Sequence, residues 1–220
     1  MSYRKPIKIA TYNIHKGFSH FNRRMMIHEL RERLRHLDAD IVFLQEVVGE
    51  HEGHASRFDN WPAEPQYEFL ADSVWSDFSY GRNAVYDHGH HGNAILSRYP
   101  ILKSENQDVS AHAFERRGLL HCEIGWPAAK TSLHCLCLHL ALNERGRGLQ
   151  LGAVIERIRR EVPDDAPLVV AGDFNDWRNR AGRRFAHELG LVQAFRDHRG
   201  KSARSFPSTF PLLQIGRAHV

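Results

Sequence analysis

The stretch LVVAGDFNDW at positions 168–177 decides the fold, because an apolar run of strand length ends abruptly in acids and amides. Positions 168–171 are apolar throughout, which is typical of a strand buried on both faces. Asp173 and Asn175 follow, and continued extended backbone would place both side chains on one side. An ionised Asp173 can orient or deprotonate water, and the Asn175 amide can hold a phosphate oxygen or the nucleophile. A turn with local hydrogen bonds is the alternative interpretation.

Two earlier strands end in polar residues in the same way. The run IATYNIH at 9–15 ends its strand with Asn13, and the run IVFLQE at 41–46 ends with Glu46. Oxygen donors of this kind suit Mg²⁺, which takes one or two protein carboxylates and fills its other positions with water and substrate phosphate. Either residue alone would be explained better by a turn. The pair predicts a metal site formed by Asn13 and Glu46.

Histidines mark two further segments. His139 closes the apolar run 133–138, and although a lone histidine in such a strand is more often a core residue, the neighbouring motifs favour a catalytic role. The segment HGHHGN at 88–93 matches no common zinc spacing. We interpret it as a loop at the rim of the pocket, in which His91 and Asn93 contact the substrate.

The hydrophobic pattern predicts one mixed α/β domain, with sheets in the interior and helices covering them. Short apolar runs predict strands, and apolar residues at helical spacing on charged stretches predict helices. The predicted strands are 7–12, 40–45, 92–96, 119–124, 133–142 and 167–171, the predicted helices are 24–37, 148–161 and 182–189, and the predicted surface loops are 49–65 and 87–92.

The amino-acid composition indicates the broad class of protein but does not identify the substrate. No apolar run among the 220 residues approaches the roughly 20 that would span a bilayer, and the basic start MSYRKP is not followed by a signal-peptide pattern. Cys122, Cys135 and Cys137 lie in apolar runs, which predicts reduced, buried thiols. We therefore expect a cytoplasmic monomer. The net charge of +4 favours the approach of any anionic substrate.

Five motifs, taken in order, resemble the endonuclease/exonuclease/phosphatase superfamily of DNase I-like, metal-dependent phosphoesterases. They are TYNIH at 11–15, LQEV at 44–47, GNAILSR at 92–98, LHL at 138–140 and GDFNDW at 172–177. Each motif alone is weak, but five in order at domain-scale spacing form a specific signal. The resemblance covers nearly the whole chain.

The resemblance implies a four-layer α/β sandwich, in which two packed mixed β-sheets are flanked by helices. It implies a hydrolase that acts as a phosphodiesterase, nuclease or phosphatase and uses Mg²⁺, with Mn²⁺ as an alternative. Glu46 would bind the metal with Asn13 nearby, and Asp173 would orient water and phosphate together with Asn175. His139 would contact the scissile phosphate or assist the leaving group. Nucleic acids, phospholipid-type headgroups and small phosphorylated molecules all remain open as substrates.

Two features of the resemblance concern the phosphate and the C-terminus. Arg117 is expected to hold a phosphate. After TFP at 209–211 the family continues with Leu-Asp-Arg-Ile and then a catalytic Ser-Asp-His, and neither is present here. Residues 215–220 match instead the translation of a widely used sequencing adapter. We therefore expect a domain over 1–214 that lacks its C-terminal strand, followed by a non-native tail at 215–220 whose His219 does not replace the missing histidine. An impaired or inactive family member that only binds phosphate ligands is the alternative function.

Overall fold

Two β-sheets form the interior of the protein in the computed structural model, which describes residues 6–19, 24–51, 53, 57–127, 131–194 and 216–220. The strands are β1 (Ile9–Asn13), β2 (Ile41–His51), β3 (Asp77–Tyr86), β4 (Gly89–Ser97), β5 (Ile101–Asp108), β6 (Gly118–Ile124), β7 (Leu133–His139), β8 (Leu168–Asp173) and β9 (Gly216–His219). The helices are α1 (Ile27–Leu37), α2 (Gln66–Ala71), α3 (Glu144–Glu161) and α4 (Arg180–Leu189), and a short 3-10 turn covers His15–Gly17.

Both sheets are mixed, as predicted. Within the described residues, the first sheet has the strand order β1-β2-β4-β3 and the second has the order β5-β6-β7-β8-β9. β1 and β2 are parallel, as are β7 and β8, and the other neighbouring pairs are antiparallel. The carboxyl ends of β1, β2, β7 and β8 therefore share one end of the sandwich with the starts of β4 and β6. We call this the site end.

Three apolar clusters define four layers, which confirms the predicted sandwich. One cluster lies between the sheets and contains Phe43 and Ile95, together with the three free, buried cysteines. A second packs α1 and α2 on the first sheet, and a third packs α3 and α4 on the second sheet. Because both faces of each sheet are covered, the central strands read as nearly continuous apolar runs. No helix in the described part of the chain is long and apolar enough to cross a membrane.

Helix α3 begins at Glu144, four residues before the predicted start at position 148. Its first turn is stabilised by Asn143, whose Oδ1 accepts a hydrogen bond from the backbone N–H of Gly146 at 2.7 Å. This is the N-cap arrangement that asparagine favours. Two glycines among the first five residues of the helix obscured its start in the sequence, since glycine is a poor helix former.

Several elements were missed by the sequence-based prediction. Strands β3 and β5 lie at the edges of their sheets and have many exposed or half-buried residues, so neither contains a long apolar run. The predicted surface loop at 87–92 is largely wrong, because β4 begins at Gly89 and pairs with both β2 and β3. The predicted loop at 49–65 likewise overlaps β2, which continues to His51.

The second sheet has a strand beyond β8, although the domain was expected to lack its C-terminal strand. Strand β9 pairs antiparallel with β8, with Ala171 opposite Ala218. His219 is fully buried, and its ring packs against Phe174 and Phe185 at centroid distances of 5.0 and 5.3 Å. His219 therefore belongs to the α4-side core and supplies no side chain to the site end. Residues 195–215, which include the predicted domain boundary at 214, lie outside the described residues.

Candidate active site

Asn13 joins the two sheets at the site end. Its Nδ2 donates hydrogen bonds to Glu46 Oε1 at 3.0 Å and to Asp173 Oδ2 at 3.2 Å. Glu46 belongs to the first sheet and Asp173 to the second, and 160 sequence positions separate Asn13 from Asp173. Three of the residues predicted from separate motifs are thus brought into direct contact. One amide donor lies between the two carboxylates and reduces their mutual repulsion.

Glu46 sits on an irregularity of β2. The pairing of β2 with β4 shifts register between Leu44 and Val47, so Glu46 is an extra residue in the strand. Leu44 and Val47 both pack in the core beneath α1, although regular alternation would place them on opposite faces. A bulge of this kind redirects a side chain. It turns the Glu46 carboxylate towards Asn13 at the end of the sheet.

Backbone strain is concentrated at this end. Seven non-glycine residues in the described part of the chain have positive φ, and four of them belong to the site: His15, Lys16, Glu46 and Asn175. A left-handed conformation costs about 1 kcal/mol or more for such residues, so it persists only where surrounding contacts fix it. Clustered outliers are a feature of functional sites. They support a functional role for the loop at 15–16, which the sequence analysis did not single out.

The ionisation of Glu46 is set by competing effects. Burial alone would raise its pKa, but hydrogen bonds from His15 and Asn13 and the charge of His139 outweigh it and hold the pKa at about 2. His15 Nδ1 lies 3.5 Å from Glu46 Oε2, and this contact raises the pKa of His15 in return. Glu46 is therefore an anion at neutral pH. The only sequence signal for His15 was its place two residues after Asn13.

Asp173 is fixed by the turn that follows β8. The backbone N–H of Asn175 donates to Asp173 Oδ1 at 3.0 Å, and Asn175 Nδ2 donates to the carbonyl of Leu140 at 2.8 Å. The local turn that the sequence left as an alternative is present, and it leaves Asp173 Oδ2 directed at Asn13. The amide donor of Asn175 is engaged within the turn, which favours a role in positioning Asp173.

His139 lies beside Asp173 because the two residues pair in register on parallel strands. His139 Nε2 is 3.9 Å from Asp173 Oδ2, which is too long for a direct hydrogen bond but leaves both atoms able to contact one water molecule. Burial lowers the pKa of His139, and the charge of Arg117 acts in the same direction. The imidazole is therefore neutral at pH 7.

Two of the predicted substrate-binding residues face the carboxylates. Burial lowers the pKa of the Arg117 guanidinium, while the negative charges of Glu115, Glu46 and Asp173 raise it. An arginine remains charged under such conditions. His91 has a buried Nδ1 that finds no hydrogen-bond partner among the residues the structure describes. Its pKa is lowered to about 4, first by burial and then by the nearby Lys16 charge.

Asn93 occupies a different position from His91. It is buried, and its Nδ2 donates to the carbonyls of Gly118 at 3.0 Å and Cys137 at 3.3 Å. These partners belong to the second sheet, whereas Asn93 belongs to the first. The geometry therefore favours Asn93 as a link between the sheets that holds the site end together. Its predicted contact with substrate stays a prediction.

The donors at the site end fit a hard cation with few protein ligands. No group of three or more His, Cys, Asp or Glu side chains in the described ranges is arranged to hold a metal ion. Glu46 supplies an ionised carboxylate, and Asp173 supplies a second carboxylate that the Asn13 amide links to it. Asn13 Oδ1 accepts a bond from the backbone N–H of His15 at 3.0 Å, so the amide nitrogen faces the carboxylates. Such a sparse oxygen set is typical of Mg²⁺.

Comparisons with known proteins agree with the fold and the site motifs. The sequence profile described as "Endonuclease/Exonuclease/phosphatase family" matches residues 10–215. The Escherichia coli (strain K12) protein named "Uncharacterized protein YbhP" is 52% identical over 213 residues, which are 97% of this chain and 84% of that protein.

Solved structures share the fold at low sequence identity. An endonuclease/exonuclease/phosphatase from Beutenbergia cavernae superposes with a TM-score of 0.73 at 18% identity, over 97% of this chain and 63% of that one. A mannosyl-6-phosphatase from Bacteroides thetaiotaomicron superposes with a TM-score of 0.70 at 15% identity, over 97% of this chain and 85% of that one. From the profile match and the close relative, the chain belongs to the endonuclease/exonuclease/phosphatase family, whose members are phosphoesterases.

Proposed function

We propose that this protein is a divalent-metal-dependent hydrolase of phosphoester bonds. The observation that carries the proposal is the convergence of Glu46 and Asp173, from different sheets, on Asn13 at 3.0 and 3.2 Å. Two ionised carboxylates that share one hydrogen-bond donor repel each other, and this repulsion destabilises the folded state unless a cation or a donor lies between them. A site that keeps both, with the arginine Arg117 and the neutral His139 beside them, suits a phosphate group and a metal ion.

Glu46 would hold Mg²⁺, with Mn²⁺ as an alternative, and Asn13 would line the same metal site and orient Glu46 through its amide. The bound ion would supply positive charge that polarises the phosphate and stabilises the charge that develops on it. Glu46 is suited to this role because its pKa of about 2 keeps it ionised over the physiological range.

Asp173 and His139 would orient and activate the attacking water. Asn175 holds one carboxylate oxygen of Asp173, so the other can accept a proton from a water molecule. The water oxygen forms a bond to phosphorus and the ester P–O bond breaks, and the proton that Asp173 took from the water returns through solvent to the oxygen of the leaving alcohol. His139, kept neutral by burial, can hydrogen-bond the same water or a phosphate oxygen through its ring nitrogens.

The phosphate would bind against one wall of the site, which we define by the side chains of Arg117, His91 and Lys16. Arg117 provides a permanent charge close to the acidic pair. The buried, unpartnered nitrogen of His91 gains a partner when a phosphate oxygen or hydroxyl approaches it, which removes the penalty of leaving that nitrogen without a hydrogen bond. Lys16 acts electrostatically on His91 and His15 and adds to the positive potential of this wall.

The proposal covers diesters and monoesters alike. The Bacteroides neighbour is named as a phosphatase, but at 15% identity that likeness extends to the fold alone. The proposal includes a cytoplasmic enzyme, which the three free, buried thiols support. Model diester and monoester substrates therefore make the most direct test.

The test compares Glu46→Gln and Asp173→Asn with the unchanged protein on bis-p-nitrophenyl phosphate and p-nitrophenyl phosphate, with Mg²⁺ or Mn²⁺ and with a chelator. Both variants should lose about 100-fold or more in rate, because each removes a charge that acts in the transition state. The matched control is Glu50→Gln, the same change at an exposed residue of β2. Thermal unfolding confirms that each variant folds.

Two outcomes separate this proposal from its alternatives. If Glu46→Gln loses no more activity than Glu50→Gln, the assignment of the site is refuted. If the unchanged protein binds Mn²⁺ and inorganic phosphate but hydrolyses neither substrate, the chain is a phosphate-binding module instead. Mn²⁺ affinity, followed by electron paramagnetic resonance, should fall in Glu46→Gln and stay unchanged in Glu50→Gln.

A further inference from the structure

Three loops leave the second sheet at the site end. They span 109–117 before β6, 140–143 after β7 and 174–179 after β8. Leu119 lies opposite Leu138 in the antiparallel pair, and His139 lies beside Asp173 in the parallel pair. The register therefore places the three loops side by side around the candidate active site.

Each of these loops exposes a large apolar side chain. Phe114 is 96% exposed, Leu142 is 69% exposed and Trp177 is 49% exposed. Each lies three or four positions from a site residue in the sequence, namely Arg117, His139 and Asp173. A single exposed apolar residue needs no explanation. Three on adjacent loops at the mouth of one site are the pattern of a contact surface.

An exposed arginine accompanies each apolar side chain. Arg116, Arg145 and Arg178 are exposed and follow their apolar partners within three positions. Arg178 has an acidic neighbour, Glu144, at 3.7 Å. The mouth of the site therefore combines exposed apolar side chains with positive charge. We name this surface the apolar–basic rim, and it consists of Phe114, Leu142, Trp177, Arg116, Arg145 and Arg178. This combination matches the chemistry of an anionic lipid surface, where apolar groups enter the acyl boundary and guanidinium groups bind phosphates.

The side chains favour a lipid surface over a nucleic acid. Binding of a single strand stacks successive bases on aromatic rings. Of the three apolar residues, only Trp177 has a described contact that fixes its ring, with the Arg147 guanidinium 5.3 Å from its ring centroid. Phe114 projects almost fully into water, and Leu142 has no aromatic face. Projecting Phe and Leu side chains are suited to insertion between lipids.

We propose that the apolar–basic rim docks the protein on an anionic lipid surface, with Phe114, Leu142 and Trp177 inserted and the arginines on lipid phosphates. The inference rests on the proposed function in one respect, since it makes the substrate a phosphoester presented at that surface. Docking would seal the site mouth against the headgroup layer. The substrate phosphate would then reach Arg117 and Asp173 without leaving the interface.

The test measures co-sedimentation with vesicles of phosphatidylcholine alone and of phosphatidylcholine mixed with phosphatidylglycerol. The full chain should bind the anionic vesicles more tightly. Phe114→Ala/Leu142→Ala should weaken that binding by about tenfold or more, because two apolar anchors are lost. The matched control is Leu37→Ala/Leu102→Ala, which removes two comparably exposed apolar residues from the opposite end of the sandwich. All these variants should hydrolyse bis-p-nitrophenyl phosphate as the unchanged protein does.

Binding and catalysis are separated by Glu46→Gln, which should bind anionic vesicles normally even though it is inactive. The proposal is overturned if the full chain fails to bind anionic vesicles, or if the rim variant and the control variant bind them equally. It is also overturned if the rim variant keeps vesicle binding but loses affinity for a fluorescent single-stranded oligonucleotide. That last result would assign the rim to nucleic acid.

Discussion

His219→Leu should stabilise the protein and flatten its response to acid. His219 is fully buried between Phe174 and Phe185, and neither of its ring nitrogens has a hydrogen-bond partner in the described structure. Leucine has a similar volume and no polar atoms. The substitution therefore keeps the packing and removes two polar atoms that burial leaves without partners.

The change in unfolding free energy that His219→Leu causes can be worked out from the burial of His219 and from its proton binding. An unsatisfied buried polar group costs about 1–3 kcal/mol, so the variant should gain about that much in unfolding free energy at pH 7. Burial lowers the pKa of His219 to about 4 from an ordinary value of 6.5. Between these values the unfolded chain binds more protons than the folded one, so stability falls as pH drops from 6.5 to 4. At about 1.4 kcal/mol per pKa unit, this loss reaches about 3 kcal/mol.

The assay is urea unfolding followed by far-ultraviolet circular dichroism at pH values from 7.5 to about 4. The difference in unfolding free energy between variant and unchanged protein should be smallest above pH 6.5 and widen by about 3 kcal/mol towards pH 4. His187→Leu is the matched control, because His187 is an exposed histidine on α4. That control separates the loss of the buried His219 ring from the loss of a histidine at the protein surface.

A His219→Leu protein that is less stable than the unchanged protein at pH 7 would show that His219 has a partner that stabilises it, and would refute the prediction. A difference in unfolding free energy that stays constant over the pH range would also refute it. A constant difference would mean that His219 is accessible to protons in the folded state.

Two substitutions test the scaffold of the site. Asn93→Ala should lower the unfolding free energy by about 2 kcal/mol, measured by urea unfolding, since its amide serves two carbonyls of the other sheet; no loss would show that this link is dispensable. Gly172→Ala should destabilise the protein by more than 2 kcal/mol and remove activity. Its φ is +148°, and an added Cβ would lie 2.0 Å from the Leu138 carbonyl oxygen. A stable, active Gly172→Ala protein would contradict the close approach of β7 and β8.

The apolar runs allowed the central strands to be predicted and indicated which polar residues lie together at the site end, because both depend on local pattern. Asn13, Glu46, His139 and Asp173 each end such a run, and strands that share an end bring their terminal residues together. The bulge at Glu46 could not be predicted, since it depends on how β2 pairs with a strand far along the chain.

The same limit explains why the different surroundings of His91 and Asn93 could not be predicted. His91 and Asn93 lie on one face of β4, but Asn93 is one step further into the sandwich and is covered by the second sheet. The sequence alone does not show how deeply each side chain is buried between the two sheets. His15 was overlooked because its contact with Glu46 depends on a left-handed turn that no residue type in that segment demands.

Because Asn13 contacts both Glu46 and Asp173, catalytic activity depends on how the two sheets pack against each other. The acidic groups come from different sheets, so the site exists only when the two sheets are packed together. The 160-residue separation between Asn13 and Asp173 makes this a late event in folding, since long-range closure follows local structure. Mild denaturant or acid that weakens the packing between the two sheets should therefore abolish catalytic activity while the circular-dichroism signal of the helices persists. An enzyme assay would then detect the loss of sheet packing before spectroscopy does.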